Sequence, residues 1–346
     1  MKGKKSYFYS IATAVSAAAV MLLSSSCGII NEDLDPCPGP VTKLRFVYEY
    51  NMERANAFHN QVHCLSVFIF DENGKLVSRR NETSEDALHD ENYRMTVDLP
   101  EGNYHVVAYG GMECENSSFS HLSQLSTGSN VSDIRVSLDP AGLTPSVGSP
   151  LHNHFYGAAD FSVTDTSTET RVEMMRNTNT IQVALQNISG APISHEDFDF
   201  KITDDNTLFD HRNNLIENGT VTYLPYHTET MTTEPSQETK ADGDTPVSIA
   251  LARFSTSRIV RAKSVAPTLS VTRKNDGGEV FRIPLSSYML LFKENHANTA
   301  PMGDQEYLDR ENSWRFVFFL DDANGTWIST HLIINDWMVR INNTEF

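Results

Sequence analysis

Long hydrophobic runs and basic residues are both scarce in this sequence. The longest apolar run, Ile11 to Leu23, holds 13 residues, whereas a membrane-spanning helix needs about 20. Lysine and arginine number 27 against 45 aspartates and glutamates, and no basic stripe interrupts this acidic balance. An acidic surface repels phosphates and anionic lipid headgroups. The sequence therefore argues against a membrane-spanning helix, a nucleic-acid-binding protein and attachment to a membrane through basic residues.

Motifs for catalysis and metal binding are missing or incomplete. The sequence contains no G-x-S-x-G nucleophile elbow and no C-x-x-C pair. His152 and His154 form an H-x-H pair, which we expect on one face of a strand, but no further ligand is marked and a closed zinc site needs about four. The stretches DENG (71–74) and DDANG (321–325) resemble parts of calcium loops but lack the glutamate at the twelfth position. We therefore predict two turns, and neither an enzyme, a cofactor nor a metal site.

The N-terminal segment has the pattern of a secretory signal. Residues 1–26 contain three lysines, no acid, a short apolar core and three serines before Cys27. Together with Leu22-Leu23, this stretch looks like a lipobox, although the leucine lies four residues before the cysteine instead of the usual three. Lipoprotein processing makes the cysteine the first mature residue because its thiol takes the diacylglyceryl group. We predict Cys27 as the lipid-attachment residue, with an S-diacylglycerol and an N-palmitoyl group.

Removal of that signal leaves a mature chain whose net charge is −21, with 24 basic and 45 acidic residues. Each buried methylene of an acyl chain contributes roughly 0.8 kcal/mol, and one chain alone binds a membrane only marginally. The several chains of a bacterial lipoprotein would hold the protein effectively permanently. The alternatives are a soluble secreted protein and, less favoured, a retained membrane helix.

Cysteine is rare, and its pairing is left open by the sequence. After removal of the signal, three cysteines remain besides Cys27: Cys37, Cys64 and Cys114. In an exported protein one pair of these three can be oxidised, which leaves one thiol free. Cys64 lies in an apolar strand pattern, so it is also compatible with a small core residue. We predict no cysteine chemistry beyond Cys27.

From residue 41 onward the sequence has the period-two apolarity of β-strands. A first set of candidate strands covers 41–50, 62–79, 93–111 and 132–140. A second set covers 171–176, 180–189, 197–203, 219–226, 246–260, 267–285 and 313–342. The Asn-Gly pair in DENG supplies the positive φ of a tight hairpin turn. Helical patterns are confined to 286–292 and 301–311, and the polar segment 226–246 is expected to be a mobile loop.

Many short strands at spacings of about 8–12 residues indicate β-sandwiches. A mature chain of this length is long for one sandwich of about 100 residues, so we predict two tandem sandwich domains, 41–165 and 166–346, after an acidic linker over 27–40. Apolar content falls between residues 160 and 170, which is where we place the junction. We expect both domains to be antiparallel. The fold class is therefore predicted as all-β.

The segment YLDRENSW (307–314) mixes aromatic and charged residues. It can be interpreted as a ligand-binding cluster. We favour a structural interpretation, in which Asp309 and Arg310 are a solvated pair and Trp314 begins a core strand.

Several stretches, in their order along the chain, together resemble a known family. They are DLDPCP, VHCLSVFIFDENGKLV, LPEGNYHVVAYGG, HNHFYG, STSRIV, YLDRENSWRFVFFL and WISTHLIINDWMVRI. In number and order they are similar to the FimB-type, fimbrillin-A-associated anchor proteins of Bacteroidetes type V pili. The sequence departs from the family at Asn335-Asp336, where members usually have Asn-Gly and the turn needs a positive φ.

The resemblance implies a lipoprotein with two transthyretin-like β-sandwich domains that sits at the base of a fimbria, holds it on the outer membrane and influences its length. The implied partner is a fimbrial shaft subunit, and strand addition to a sheet edge is the expected mode of contact. The acidic run 32–35 behind Cys27 resembles the signal for the outer face of the outer membrane; a solvated linker is the alternative. A surface adhesin for glycan or host matrix and a fimbrial shaft or tip subunit remain alternative functions.

Overall fold

The computed structural model describes residues 39–146, 148–233, 247–291, 293, 301–321, 323, 325–335 and 337–339. Residues 42–346 belong to one compact unit. The predicted signal segment 1–26, almost all of the predicted linker 27–40, and Cys27 itself lie outside the described residues. None of the helices in the described ranges is long and apolar enough to cross a membrane.

Strands account for most of the regular structure, and the α-helices are short. The described part of the chain forms the strands β1 (Thr42–Val47), β2 (Leu65–Asp71), β3 (Leu76–Glu82), β4 (Met95–Val97), β5 (Gly102–Gly110), β6 (Phe119–His121), β7 (Arg135–Leu138), β8 (Phe155–Val163), β9 (Thr168–Arg176), β10 (Thr178–Asn187), β11 (Phe198–Asp204), β12 (Leu208–Asp210), β13 (Val221–Tyr223), β14 (His227–Thr233), β15 (Val247–Ser257), β16 (Thr268–Arg273), β17 (Glu279–Pro284), β18 (Ser313–Asp321), β19 (Thr326–Ile334) and β20 (Trp337–Val339). The helices are α1 (Phe58–Gln61), α2 (Glu85–Leu88), α3 (Leu285–Leu290) and α4 (Asp304–Arg310).

The first sandwich is a single sheet folded over on itself. Its strand order is β3-β2-β5-β8-β9-β1-β4, but β8 and β9 pair over only three residues at one end. At that end Gly157 lets the strands approach closely, because an added Cβ would lie 2.5 Å from the Met174 sulfur. One half of the sheet, β3-β2-β5-β8, therefore faces the other half, β9-β1-β4. Side chains such as Leu44, Val67 and Val106 fill one buried core between the two halves.

The second sandwich consists of a six-stranded sheet, β14-β15-β10-β18-β19-β20, and a four-stranded sheet, β13-β11-β16-β17. Alternate side chains from both sheets enter one core cluster, among them Ile181, Phe200 and Phe318. The rings of Phe281 and Phe318 stack across the sheets with centroids 4.1 Å apart. The period-two pattern of these strands is thus the pattern of a sheet with one face buried.

A small third layer packs against the outer face of the first sandwich and shares a core cluster with the second. β6, β7 and β12 form a three-stranded sheet in the order β12-β7-β6. Phe119 and Phe209 from this sheet and Phe68 and Tyr109 from β2 and β5 belong to the same core cluster as the second sandwich. The strands β2 and β5 are therefore covered on both faces, which explains the nearly continuous burial along β2.

The all-β prediction is confirmed, but the sheets are not antiparallel throughout. β1 pairs in parallel with β9 over six residues, and β10 pairs in parallel with β18 over eight. Parallel neighbours need a long connection between them. Between β1 and β9 the connection includes β2, β3, β5 and β8 of the facing half of the sheet, and between β10 and β18 it includes the four-stranded sheet β13-β11-β16-β17.

Two local predictions need correction. The strand 171–176, which we grouped with the second set, lies in β9 and pairs with β1 and β8 of the first sheet; the domain ranges 41–165 and 166–346 otherwise stay predictions. The segment predicted as a mobile loop begins with a strand, because β14 pairs with β15 over all seven of its residues. The rest of that segment, 234–246, lies outside the described residues. The two helical patterns are confirmed as α3 and α4.

Candidate interaction surface

The predicted lipid-attachment residue lies outside the described residues, as do the acidic run 32–35 and Cys37. Lipid attachment at Cys27 therefore stays a prediction. The other predicted candidates, His152, His154, the two turns and the segment 307–314, lie almost entirely within the described part of the chain.

His154 is a core residue. It lies in the segment before β8, not on a strand as predicted, and its side chain is fully buried. Its ring stacks on Phe119 with centroids 4.4 Å apart, and Asn177 Nδ2 lies 3.4 Å from its Nδ1. Burial lowers the pKa of His154 to about 3, because the charged form loses its hydration. The ring is neutral at neutral pH.

His152 does not complete a metal site with His154. Its Nδ1 lies 3.4 Å from the carbonyl oxygen of Gly111. Within the described ranges, no three or more histidine, cysteine, aspartate or glutamate side chains are grouped so that they could hold a metal ion. In this fold the His154 ring packs on Phe119 and the His152 ring lies against the Gly111 carbonyl of the loop after β5.

The stretch DENG is the predicted hairpin turn between β2 and β3. Gly74 has a φ of 72°, and Asp71 Oδ1 accepts hydrogen bonds from the backbone N–H groups of Asn73 and Lys75 at 2.9 and 2.8 Å. The carboxylate thus supports the turn from within. At DDANG, Asp321 accepts the Ala323 N–H in the same way, at 2.9 Å.

The cysteine pairing that the sequence left open is Cys64 with Cys114. Their sulfurs are bonded, and their Cα atoms are 6.3 Å apart, within the usual range for a disulfide. Cys64 is also buried next to β2. It is therefore both a disulfide partner and a small core residue, the two roles that the sequence left open. The bridge ties the loop after β5 to the start of β2.

Asp309 and Arg310 are not the solvated pair that we predicted. Asp309 is buried and accepts two hydrogen bonds from Arg258, from Nε to Oδ1 and from Nη2 to Oδ2, both at 2.7 Å. Arg310 instead pairs with Glu306, one turn back on α4, at 2.8 Å, and lies over the ring of Tyr50. Trp314 is buried near the start of β18, as predicted.

Sheet edges are the features of this fold that suit recognition of another chain. In the described part of the molecule, seven residues is the greatest length of an edge strand, reached by β3 and β14. The edge strand β17 is shorter, its pairing with β16 contains an irregularity, and it ends in Pro284. Bulges and proline are devices by which proteins protect an edge.

β3 is a protected edge. It carries Arg79 and Arg80, and its pairing with β2 shifts register between Ile69 and Phe70. The backbone of Leu76 is already bonded on the outer side, by Ser129 and Gly128. Charge, a bulge and a covering loop all oppose addition of a further strand here.

β14 lacks the basic side chains, the register shift and the backbone-bonded covering loop that protect β3. Its sequence, HTETMTT, contains no lysine, arginine or proline, and its pairing with β15 has no register shift. Met231 is 43% exposed. Among the described residues, no backbone group of 227–233 hydrogen-bonds to any backbone group outside β15. An unprotected edge of this length is a template for another strand.

The outward-facing backbone groups of β14 follow from the register. The backbone N–H of Thr180 donates to the Asn312 carbonyl on the β18 side of β10. The backbone N–H and C=O groups of the next residue, Ile181, therefore point toward β15, where its partner is Phe254. Since backbone groups alternate sides along a strand, the backbone N–H and C=O groups of Arg253 point away from β10, toward His227 of β14. The N–H and C=O groups of Thr228, Thr230 and Thr232 consequently point away from β15.

Comparisons with known proteins agree on one family. A family model for fimbrillin-A-associated anchor proteins, Mfa1 and Mfa2, matches residues 34–343. A comparison with curated protein sequences finds no match. Among solved structures, a proposed adhesin from Bacteroides thetaiotaomicron is 45% identical, with a TM-score of 0.81 over 90% of this chain and 100% of the other.

Two further solved structures have the same fold. A protein from Bacteroides thetaiotaomicron proposed to bind polysaccharide is 27% identical, with a TM-score of 0.72 over 88% of this chain and 99% of the other. The fimbrial anchor protein Mfa2 from Porphyromonas gingivalis is 16% identical, with a TM-score of 0.61 over 87% of this chain and 99% of the other. Because the family model spans nearly the whole chain, the protein belongs to the fimbrillin-A-associated anchor protein family.

Proposed function

We propose that this protein is an outer-membrane lipoprotein that anchors a fimbria at its base and influences the assembly and length of that fimbria. The observation that carries the proposal is the match of the anchor family over residues 34–343. The lipobox-like stretch before Cys27 supplies a means of attachment, and the acyl chains would hold the protein in the membrane.

The contact with the fimbria is proposed to form at β14. An extended segment of a fimbrial shaft subunit adds to this edge as the next strand of the six-stranded sheet. Backbone hydrogen bonds to Thr228, Thr230 and Thr232 supply affinity, and side-chain contacts with alternate residues fix the register. The exposed side chain of Met231 offers apolar area to that segment.

The anchoring role is tested by the variant Cys27→Ala in the cell that makes the fimbriae. We expect fimbriae to be released into the medium or to change in length, because the acyl chains no longer hold their base. Labelling with a fatty acid is the direct measurement of attachment, and label at Cys27 is expected in the unsubstituted protein only. Fimbriae that stay on cells of the variant at normal length would exclude the anchor function.

The edge contact is tested with two variants at one position. Thr232→Pro removes an outward N–H group without removing a hydrogen bond to β15, since proline is tolerated on the solvent side of an edge strand. Thr232→Val keeps the N–H group and is the matched control. We expect the proline variant to lose binding to the purified shaft subunit and the valine variant to retain it. Equal binding by both variants would place the contact elsewhere.

A further inference from the structure

Lys263 and Asp204 are in contact inside the second sandwich. Asp204 is the last residue of β11, and Lys263 lies in the loop that joins β15 to β16. The Lys263 Nζ atom contacts Asp204 Oδ1, and each side chain is 1% exposed. The two residues are 59 positions apart in the sequence. The contact therefore joins a strand of the four-stranded sheet to a loop that follows a strand of the six-stranded sheet.

The two oxygen atoms of the Asp204 carboxylate have different surroundings. Oδ1 accepts hydrogen bonds from Lys263 Nζ and from the backbone N–H of Asp205, the latter at 2.8 Å. Oδ2 is buried and has no hydrogen-bond partner in the described part of the chain. Burial of a charged oxygen without a donor is costly, because the oxygen loses its hydration. The ion pair therefore leaves half of this carboxylate unsatisfied.

Two other ion pairs in the chain after β10 lack this combination of features. Both oxygens of Asp309 accept hydrogen bonds from Arg258 at 2.7 Å, and a guanidinium stays protonated in proteins, so it is not a nucleophile. The pair between Lys293 and Asp304 contains an amine, but its side chains are 28% and 37% exposed, so water reaches both groups. The first pair alone among the three combines an amine, burial from water and a carboxylate oxygen without a donor.

We propose that Lys263 and Asp204 form an intramolecular isopeptide bond, an amide between the two side chains, once the second sandwich has folded. The Lys263 Nζ atom attacks Asp204 Cγ, so that an Nζ–Cγ bond forms and the Cγ–Oδ1 bond breaks. Oδ1 leaves as water with two protons, both of which come from the lysine ammonium group. Oδ2 remains as the carbonyl oxygen of the amide. The pair supplies every atom of this reaction, and no oxidation or reduction takes place.

The surroundings of the pair favour this attack. Burial raises the pKa of Asp204, although the Lys263 ammonium and the Asp205 N–H oppose the rise, because the charged carboxylate loses its hydration. Transfer of one proton from Lys263 to Asp204 then removes both charges and leaves a free amine, which is the nucleophilic form of lysine. The Asp205 carbonyl oxygen accepts a hydrogen bond from Nζ at 3.3 Å, which helps to hold the amine beside the carboxyl group. The Asp205 N–H donates to Oδ1, the oxygen that leaves.

The amide is also the favoured state at a site closed to water. In water the two separate ions are favoured, because both are strongly hydrated. In a protein interior that hydration is lost, and the attraction between the ions often does not compensate for the loss. The amide removes both charges. Oδ2 becomes a neutral carbonyl oxygen, whose burial without a donor costs less than that of a charged oxygen.

The bond ties β11 to the loop after β15, and β15 is the strand that pairs with β14. A pull on β14 is passed to β15 through their backbone hydrogen bonds, and the covalent link then carries part of that load to the opposite sheet. The inference does not depend on the proposed function, because the bond requires neither Cys27 nor a partner at β14.

The test is peptide mapping of the purified mature protein by mass spectrometry, after unfolding in urea, reduction and digestion with trypsin. Trypsin does not cleave after an acylated lysine, so the bond joins the peptides 202–212 and 262–273. We expect a joined peptide whose mass is lower by one water molecule than the sum of the two separate peptides. Recovery of 202–212 only in unjoined form from the unsubstituted protein overturns the proposal.

Two variants identify the lysine that reacts. Lys263→Arg keeps the positive charge but replaces the amine with a guanidinium, so the joined peptide should be absent. Lys293→Arg makes the same replacement in the partly exposed pair with Asp304 and should leave the joined peptide unchanged. A joined peptide that persists in Lys263→Arg overturns the assignment. The result for the unsubstituted protein decides the proposal even if Lys263→Arg does not fold, because the unsubstituted protein is mapped by itself.

Discussion

The chain up to β9 and the chain from β10 onward bury polar groups in different ways. In the first region the buried imidazole of His154 is neutral, since its pKa is lowered to about 3, and a disulfide joins Cys64 to Cys114. In the second region charges are buried in pairs. Lys263 contacts Asp204, each side chain being 1% exposed, and Arg258 contacts Asp309.

This difference predicts what each region tolerates. A buried group that stays neutral avoids desolvation of a charge, but it opposes protonation and so makes stability depend on pH. A buried ion pair gains little over an apolar pair of equal size, but removal of one partner leaves an uncompensated charge. The first region should therefore respond to acid and to reduction, and the second to deletion of single charges.

The largest effect is expected for Asp309→Ala. This change leaves the Arg258 guanidinium, whose side chain is 15% exposed, without its carboxylate. Removal of one partner of a buried pair costs about 3–5 kcal/mol, and we expect the free energy of unfolding in urea to fall by that amount. The matched control is Glu306→Ala on the same helix, which removes a partly exposed pair with Arg310 and should cost under about 1 kcal/mol. Equal losses in both variants would show that burial of the pair is not the cause.

Removal of the disulfide in Cys64→Ser/Cys114→Ser should have the next largest effect. The bridge spans 50 residues of sequence, and a closed loop of that length restricts the unfolded chain by about 4 kcal/mol in the chain-entropy model. We expect the midpoint of urea unfolding to fall in the variant, and dithiothreitol to lower it in the unsubstituted protein only. A midpoint unaffected by dithiothreitol in both proteins would contradict a stabilising bridge.

Acidification should destabilise the first region through His154. Its pKa of about 3 in the folded protein lies below the ordinary value of 6.5, so the unfolded chain binds more protons between these values. Stability is therefore lost as the pH falls from 6.5 toward 3, by about 2 kcal/mol at about pH 5. We expect His154→Gln to reduce this pH dependence, measured as the change in unfolding free energy between pH 7 and pH 5. The exposed His89→Gln is the control, and an equal reduction in both variants would exclude His154 as the cause.

The smallest effect on stability is expected at the unprotected edge. Met231→Lys adds a charge at an exposed position of β14 and should change the free energy of unfolding by less than about 0.5 kcal/mol. Because lysine on an edge opposes strand addition, binding to the fimbrial shaft subunit should nevertheless fall. A variant that binds as well as the unsubstituted protein would show that this edge is not the contact.

Local sequence patterns predicted many elements of this fold. The hairpin from 62 to 79 appears as β2 and β3, joined at Gly74 with its positive φ. Helix α4 falls within the predicted segment 301–311, and α3 begins one residue before the predicted segment 286–292. In each case the signal is carried by residues within a few positions of one another, so the pattern reports the structure directly.

Local patterns did not predict which strands are neighbours. Period two identified β9 as a strand, but its pairing with β1, more than 120 residues earlier, depends on how the sheet folds over at Gly157. β14 was missed because only one of its edges pairs, which leaves most of its residues exposed and polar. Its four threonines are β-branched, and this was the available signal for a strand.

For the polar residues too, the sequence identified candidates but not the distant residues that they contact. Sequence identified His154 as a candidate but not its burial against Phe119. Asp309 looked solvated because Arg258, its partner, lies 51 residues away.

The sequence by itself determined the all-β class, the positions of most strands and turns, the acidic surface and the resemblance to the anchor family. These depend on composition and on alternation along a strand, which short segments encode. Only the tertiary structure decided the parallel pairings, the burial of Asp309 and His154, the Cys64–Cys114 bridge and the contrast between the edges of β3 and β14. Each of these results from contacts between residues distant in sequence, whose energies are set by packing and desolvation in the folded chain.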